Sequence, residues 1–285
     1  MNRREELIKS PLNYIGGKFN IIYQITNLFP NDINTFVDLF GGGLNVGINI
    51  NANKVIYNEK IPLLVELMKY FYEYDFGHIK AQLLNIINEY NLSKTDNSGF
   101  LELRAQFNKT FDKDVLKFYA LIMYSFNYQI RFNQSGQFNT PHGTNRSSFN
   151  KNVENRLKCF IERLHKTNFD FTNFDFKDFQ FEDTHFVYCD PPYLVTTGSY
   201  NDGNRGFVNW TFEDEKYLLN LLDNLNDRGI KFALSNVINA NGKTNVHLLE
   251  WSKKYIVHNI DNDFNNSNYQ RNLKNDIKEV LITNY

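Results

Sequence analysis

Asp190, Pro191, Pro192 and Tyr193 end the apolar run FVYCDPPY (186–193) and bring a carboxylate, a backbone carbonyl and an aromatic face into one small space. Neither proline can donate to a sheet ladder and each fixes its own φ, so a strand stops here in a stiff, extended corner. A carboxylate and a carbonyl together can accept both hydrogens of an amino group. That draws the nitrogen lone pair out of conjugation with its ring, while a tyrosine face holds the ring. The chemistry this implies is activation of an exocyclic amine on a flat heterocycle.

Three further stretches carry groups that could serve such a site. FVDLFGGGLNVG (36–47) reads as an apolar strand running through Asp38 and Phe40 into Gly41-Gly42-Gly43, with a helix expected after it. A turn of this kind lets backbone N–H groups approach a ligand at the carboxyl edge of a sheet. A plain tight turn accounts for the three glycines equally well, and the spacing is not the G-x-G-x-x-G of a pyrophosphate-binding dehydrogenase. Glu59 ends the next apolar run, where an acid can grip a ribose diol; an exposed acid before a helix is its plainer reading. YIGGK (14–18) offers two glycines and the Lys18 cation, or simply a loop with a solvated lysine. NFDF (173–176) reads as an alternating strand, with Asp175 able to accept from an amine and Phe174 or Phe176 able to pack a ring.

The elements that must position these groups are short apolar strands alternating with helical patterns, which signals an α/β fold with a mostly parallel sheet. TFVDLF (35–40), KVIYNE (54–59), HFVYC (185–189), IKFAL (230–234), YIVHNI (255–260) and EVLITN (279–284) read as strands. Ile21, Ile22, Ile25 and Leu28 mark a helix stopped by Pro30, and Leu218, Leu221, Leu222 and Leu225 mark another, ended by Gly229. From about Pro62 to Lys166 the chain is helical in pattern, with a hairpin turn expected at Ser135-Gly136. We read 62–166 as an inserted domain and 1–61 with 167–285 as the sheet-bearing one. The Asn-rich stretch 261–275 reads as a loop.

The chain has 285 residues, 31 basic and 32 acidic, so net charge alone predicts no partner. Between Tyr128 and Lys166, however, Arg131, Arg146, Lys151, Arg156, Lys158, Arg163 and Lys166 face only Glu154 and Glu162, an excess suited to phosphate or to a solvated helix face. Two cysteines, Cys159 and Cys189, make neither a disulfide framework nor a zinc site, and no metal is expected. No apolar run reaches membrane-span length and the start MNRREELIKS lacks a signal-peptide core, so a cytoplasmic protein is expected.

In order and spacing these motifs resemble those of the Dam-like (D12 class, alpha group) DNA adenine-N6 methyltransferases. YIGGK resembles the family's W-x-G-G-K, FVDLFGGG its F-x-G-x-G, and DPPY its catalytic motif. SFNYQIRFNQSGQFNTPHG (125–143) resembles its DNA-reading segment, and KFALSN with Arg271…EVLITNY its last two strands. The resemblance spans nearly the whole chain. It implies a Rossmann-like, S-adenosylmethionine-dependent methyltransferase sheet with an inserted, mainly helical target-recognition domain bearing a β-hairpin. Tyr14, Lys18, Asp38, Phe40 and Gly41, Gly42 and Gly43 would surround the methionine part of the cofactor, Glu59 its ribose, and Asp175 and Phe176 its adenine. Asp190, Pro191, Pro192 and Tyr193 would hold a flipped adenine, with Asp190 also beside the cofactor. Asn13, Asn127, Arg131, Asn133, Asn139 and Pro141 would touch double-stranded DNA.

The implied site holds an adenine next to a thymine, with GATC as the leading expectation. Tyr14 replaces the family's Trp, and Leu44 stands where Dam has Gly. Asn13 replaces a Lys that reads a guanine in Dam, so the first base is expected to be read differently or not at all. A monomer or weak dimer is expected, with a cognate restriction endonuclease as a possible partner. An N4-cytosine enzyme, which would carry Ser first in the catalytic motif, and a catalytically silent S-adenosylmethionine-binding DNA-binding module are the alternatives.

Overall fold

In the computed structural model, which describes residues 7–14, 16–196, 210–240, 242–261 and 277–285, the apolar runs become strands of one sheet. In chain order the elements are α1 (Ile22–Thr26), β1 (Ile33–Asp38), β2 (Ala52–Asn58), α2 (Pro62–Glu73), α3 (Phe76–Glu89), α4 (Ser98–Lys109), α5 (Val115–Tyr124) and α6 (Lys151–Leu164). Then come β3 (Phe169–Thr172), β4 (His185–Cys189), α7 (Phe212–Asp227), β5 (Lys231–Ala240), β6 (Lys243–Thr244), α8 (Val246–Ser252), β7 (Ile256–Ile260) and β8 (Lys278–Thr283). The strand order is β3-β2-β1-β4-β5-β8-β7, with β6 paired to β5. The β1–β5 pairings along this path are parallel, while β8 runs antiparallel to both β5 and β7. From β1 the chain winds outward through β2 to β3 and then returns to the other side as β4. The crevice between β1 and β4 is therefore the topological switch point, where open α/β sheets bind ligands.

Alternation along the strands divides the core in two. Phe36, Tyr188, Ala233 and Leu281 face one way, into a cluster built with α1–α6. Their neighbours Val37, Val187, Cys189, Phe232, Leu234, Val280 and Ile282 face the other, against Leu218, Leu222, Leu248 and Trp251 of α7 and α8. The helices of 62–164 thus share an uninterrupted core with one face of the sheet. Their starts are fixed locally: Pro62 opens α2, and Asp75, Asp114 and Asn150 cap α3, α5 and α6 through their side chains. A Thr211/Asp214 capping box opens α7.

Several local expectations are corrected. No α-helix follows the triple glycine; the chain makes only a 3-10 turn at Gly47–Asn49 before β2. NFDF is not a strand: β3 ends at Thr172 and Asn173–Phe176 form a loop, because Asn58 and Glu59 take the hydrogen bonds that a further strand would have used. The helix before Pro30 begins as a 3-10 turn at Lys18–Ile21. Around Ser135-Gly136 the chain turns back as expected, but pairing is limited to the isolated antiparallel bridges Ser125↔His142 and Phe132↔Phe138. Arg271 and residues 262–275 of the Asn-rich stretch lie outside the described residues. Among the described residues no helix is long and apolar enough to cross a membrane.

Candidate active site

The turn after β1 is packed from both sides by tyrosines. A Cβ on Gly41 would lie 2.3 Å from the Tyr57 ring, so only glycine fits there. Tyr57 donates to the Gly42 carbonyl at 2.8 Å. Gly42 has φ +48, a left-handed conformation, and lies against the Tyr14 ring. Leu44, where the resemblance called for glycine, also has positive φ, 58°. A left-handed non-glycine residue costs about 1–2 kcal/mol, offset here by complete burial of the leucine side chain. The segment leading into YIGGK is tied to the chain after this turn by asparagines: Asn49 accepts from the Ile8 N–H at 2.7 Å and Asn45 from the Ser10 N–H at 3.1 Å.

Two buried acids brace the turn from below. Glu59 accepts from the Gly42 N–H at 2.9 Å and the Ile61 N–H at 3.0 Å, and Asp38 accepts from the Gly47 N–H at 3.1 Å. Burial raises the Glu59 carboxyl above the ordinary range, against those backbone bonds. Burial, opposed by the Gly47 bond and reinforced by Asp190 and Glu59, pushes Asp38 up to about 7. From the unfolded value of 3.8 up to about 7 the folded protein keeps a proton that the unfolded chain has lost, so this group's stabilising share is present at low pH and disappears as pH rises through 7. Asp38→Asn preserves an acceptor for Gly47 and removes the titration. Melting curves across this pH span should show the variant gaining stability relative to the parent as pH rises, with a level difference above neutrality.

At the end of β4, Asp190 is engaged on both oxygens. Lys18 Nζ lies 2.9 Å from Oδ2, and the Tyr193 hydroxyl donates to Oδ1 at 2.8 Å. Lys18 also donates to the Gly16 carbonyl at 2.8 Å, lies 3.7 Å from Glu279 and sits 5.0 Å from the Tyr193 ring centre. Burial, with Asp190 and Glu279 alongside, raises the Tyr193 phenol well above its usual value. Asp190 and Glu279 flank Lys18, and Asp38 is close enough to Asp190 and Glu59 to be raised by both, so carboxylates outnumber the one cation here and the lining fits a cationic ligand.

Phe40 packs on Phe176 at 5.3 Å and on Trp210 at 5.8 Å, forming an aromatic wall beside the glycine turn. Asp175 is ion-paired to Lys60 at 2.6 Å; burial works against its charge, but Lys60 and the Lys177 N–H hold its carboxyl below the usual range. Asn58 is committed to structure, donating to the Leu39 and Phe174 carbonyls and accepting from Thr172 and the Phe174 N–H. Glu279 and Trp210 were not among the residues singled out from sequence.

The third group lies on the face of the helical block. Asn13 donates to the Asn127 carbonyl at 2.8 Å, linking the YIGGK loop to this segment. Asn127 and Tyr128 both have positive φ, 53° and 56°, and the Phe126 N–H donates to the Pro141 carbonyl at 2.8 Å. Asn13, Asn127 and the exposed Pro141 are therefore neighbours. Arg131 is joined to Asn139 through backbone at 3.0 Å. Asn133 stands apart: its carboxamide accepts from the Ser135 and Gln137 N–H groups and shapes the turn. Of the basic excess, Arg146 lies over the Phe126 ring at 5.3 Å, while Lys151 and Lys158 pair with Glu154 and Glu162.

Residues 14–265 match the family model for D12 class N6 adenine-specific DNA methyltransferase. The chain is 47% identical over 287 residues to type II methyltransferase M.FokI of Planomicrobium okeanokoites, covering 100% of this chain and 44% of that protein. It is 46% identical over 286 residues to modification methylase StsI of Streptococcus sanguinis, covering 99% and 43%. It is 24% identical over 227 residues to the DNA adenine methylase of Escherichia coli strain K12, covering 79% of each. The chain spans less than half the length of the first two relatives.

Proposed function

From the premise that the chain belongs to the D12 class of N6 adenine-specific DNA methyltransferases, we propose that it methylates adenine N6 at a short site in duplex DNA, with S-adenosylmethionine as donor. The observation that carries the reading is the meeting of Asp190 and Tyr193, at the end of β4, with the glycine turn and its acids at the end of β1, across the switch point. When bound, S-adenosylmethionine supplies an electrophilic methyl group on a sulfonium. Tyr14, Lys18, Phe40 and the Gly41–Gly43 turn would hold its methionine part, Glu59 its ribose, and the wall of Phe40, Phe176 and Trp210, with Asp175 at its rim, its adenine.

The target adenine leaves the stack and lies against Tyr193, which replaces part of the lost stacking, about 1–3 kcal/mol per base. Asp190 and the Pro191 carbonyl accept the amino hydrogens, so the N6 lone pair is localised toward the donor. The N6 lone pair so presented would take the methyl group the bound donor supplies, with the pair of the broken carbon–sulfur bond staying on sulfur, and Asp190 or water would accept the one proton N6 then gives up. Positioning and fixed charge carry the acceleration.

Residues 62–166 would read the DNA, through Asn127, Arg131, Asn139 and Pro141 together with Asn13, and Arg146 with the basic residues of α6 would meet phosphates. Asn133 would act by shaping the turn. GATC is the first candidate site. Similarity to modification methylases supports a place beside a cognate restriction endonuclease, acting on DNA in the cytoplasm. Mapping methylated adenines in DNA from cells expressing the protein tests the reading: one short adenine-containing motif is expected, and unmodified adenines throughout would contradict it. A guanidinium in the major groove contributes about 1–3 kcal/mol of discrimination at a guanine. Arg131→Ala is therefore expected to relax the mapped motif at one base more than it weakens binding to random DNA; an unchanged motif would remove Arg131 from the reading surface.

A further inference from the structure

The aromatic wall beside the glycine turn depends on how the Trp210 indole is turned. Trp210 lies 5.8 Å from Phe40, edge to face, and 5.4 Å from Phe176. Ring packing fixes an indole's depth better than its rotation; a partner for its N–H fixes both.

The start of α7 supplies one. Thr211 caps this helix and forms a capping box with Asp214. In that geometry the residue before the cap meets the fourth residue of the helix, a contact usually made by two apolar side chains. Here the two are Trp210 and Glu215. Glu215 is 1% exposed, and a carboxyl buried there costs stability that an apolar side chain would not. One of its oxygens is held, Oε1 accepting from Asn245 Nδ2 at 2.6 Å. Asn245 is fixed in turn, its backbone N–H on the Ile238 carbonyl and its Oδ1 on the Leu248 N–H at the start of α8. Among the described residues, neither Glu215 Oε2 nor the buried Trp210 Nε1 completes a hydrogen bond. The two groups are nonetheless neighbours: burial raises the Glu215 carboxyl above the ordinary range, and Asn245 and the Trp210 N–H draw it back. A donor and an acceptor, each otherwise orphaned in the interior, stand side by side.

We propose that Glu215 is a positioning residue that sets the rotation of the Trp210 indole through its N–H, and so shapes the wall that receives the cofactor's adenine. Glu215 touches neither cofactor nor base; it acts through Trp210, with Asn245 as its anchor. The inference rests on the methyltransferase reading above.

A double-mutant cycle tests it, with calorimetric affinity for S-adenosylmethionine measured for the parent, Glu215→Leu, Trp210→Phe and the double variant. Leucine removes both carboxyl oxygens and keeps an apolar partner for the ring at 210; the loss of an acceptor for Asn245 is common to both backgrounds and cancels in the cycle. Glu215→Leu is expected to weaken cofactor binding about tenfold in the parent and less than about threefold where residue 210 has no N–H. The chain has two tryptophans, so in a Trp251→Phe background fluorescence reports Trp210 alone. Time-resolved anisotropy there is expected to show larger fast motion of the indole once Glu215→Leu is added. Equal losses in both backgrounds, no loss in the parent, or indole motion unchanged by Glu215→Leu would overturn the proposal and leave the methyltransferase reading standing. A parent that binds no S-adenosylmethionine would overturn both. If Glu215→Leu does not fold, Glu215→Met is required to give the same non-additive pattern.

Discussion

Asp190→Ala should abolish methyl transfer, by at least about 10²–10³-fold, while affinity for S-adenosylmethionine changes only a few-fold. Loss of one preorganised group aimed at developing charge has this order of effect. Here the lost group is the carboxylate that would accept from N6, held between Lys18 and the Tyr193 hydroxyl. The groups proposed to grip the cofactor are fixed independently: Gly42 by Glu59 and Tyr57, and Gly47 by Asp38. Lys18 keeps Glu279 as a counter-charge. Single-turnover rates with calorimetric cofactor binding separate the two effects. Turnover near that of the parent would remove Asp190 from the chemistry.

Glu59→Ala should fail at the other half of the site, weakening S-adenosylmethionine by at least tenfold with DNA affinity nearly unchanged. A carboxylate has about four lone-pair positions, and the Gly42 and Ile61 N–H groups use one on each oxygen of Glu59, leaving capacity for both hydroxyls of a ribose diol. Such charge-assisted bonds contribute about 1.5–3 kcal/mol each. The substitution also frees the glycine turn from its anchor. Asn58 cannot substitute, because its carboxamide is already bound to the chain around it. Calorimetry showing unaltered cofactor affinity would leave Glu59 as a brace for the turn alone.

What could be read beforehand follows from how local each cause is. The prolines after Asp190 and the glycines after Asp38 end their strands by their own backbone chemistry, so both halves of the site were visible in the chain. Along β4, β5 and β8 nearly every residue is buried, and successive side chains enter opposite core layers as strand geometry dictates. Glu279 was not legible, because its position depends on the antiparallel register of β8 against β5, a pairing across some 40 residues of sequence. Trp210 joins the site through packing on Phe40 and Phe176, which no local pattern in the sequence marks. NFDF alternates as a strand does, but the side chain of Asn58 bonds its backbone and diverts it into a loop that seats Phe176 on Phe40. Asn45, Asn49 and Asn108 each tie a segment by bonding its backbone, as Asn108 does at both the N–H and the carbonyl of Phe138, and nothing local in the sequence marks those partners.

The most direct test of the central claim is to incubate the protein with methyl-labelled S-adenosylmethionine and unmethylated duplex DNA, digest the DNA to nucleosides and identify the labelled one by mass spectrometry. The account predicts N6-methyldeoxyadenosine. Label in N4-methyldeoxycytidine, or DNA that acquires no label, would contradict it.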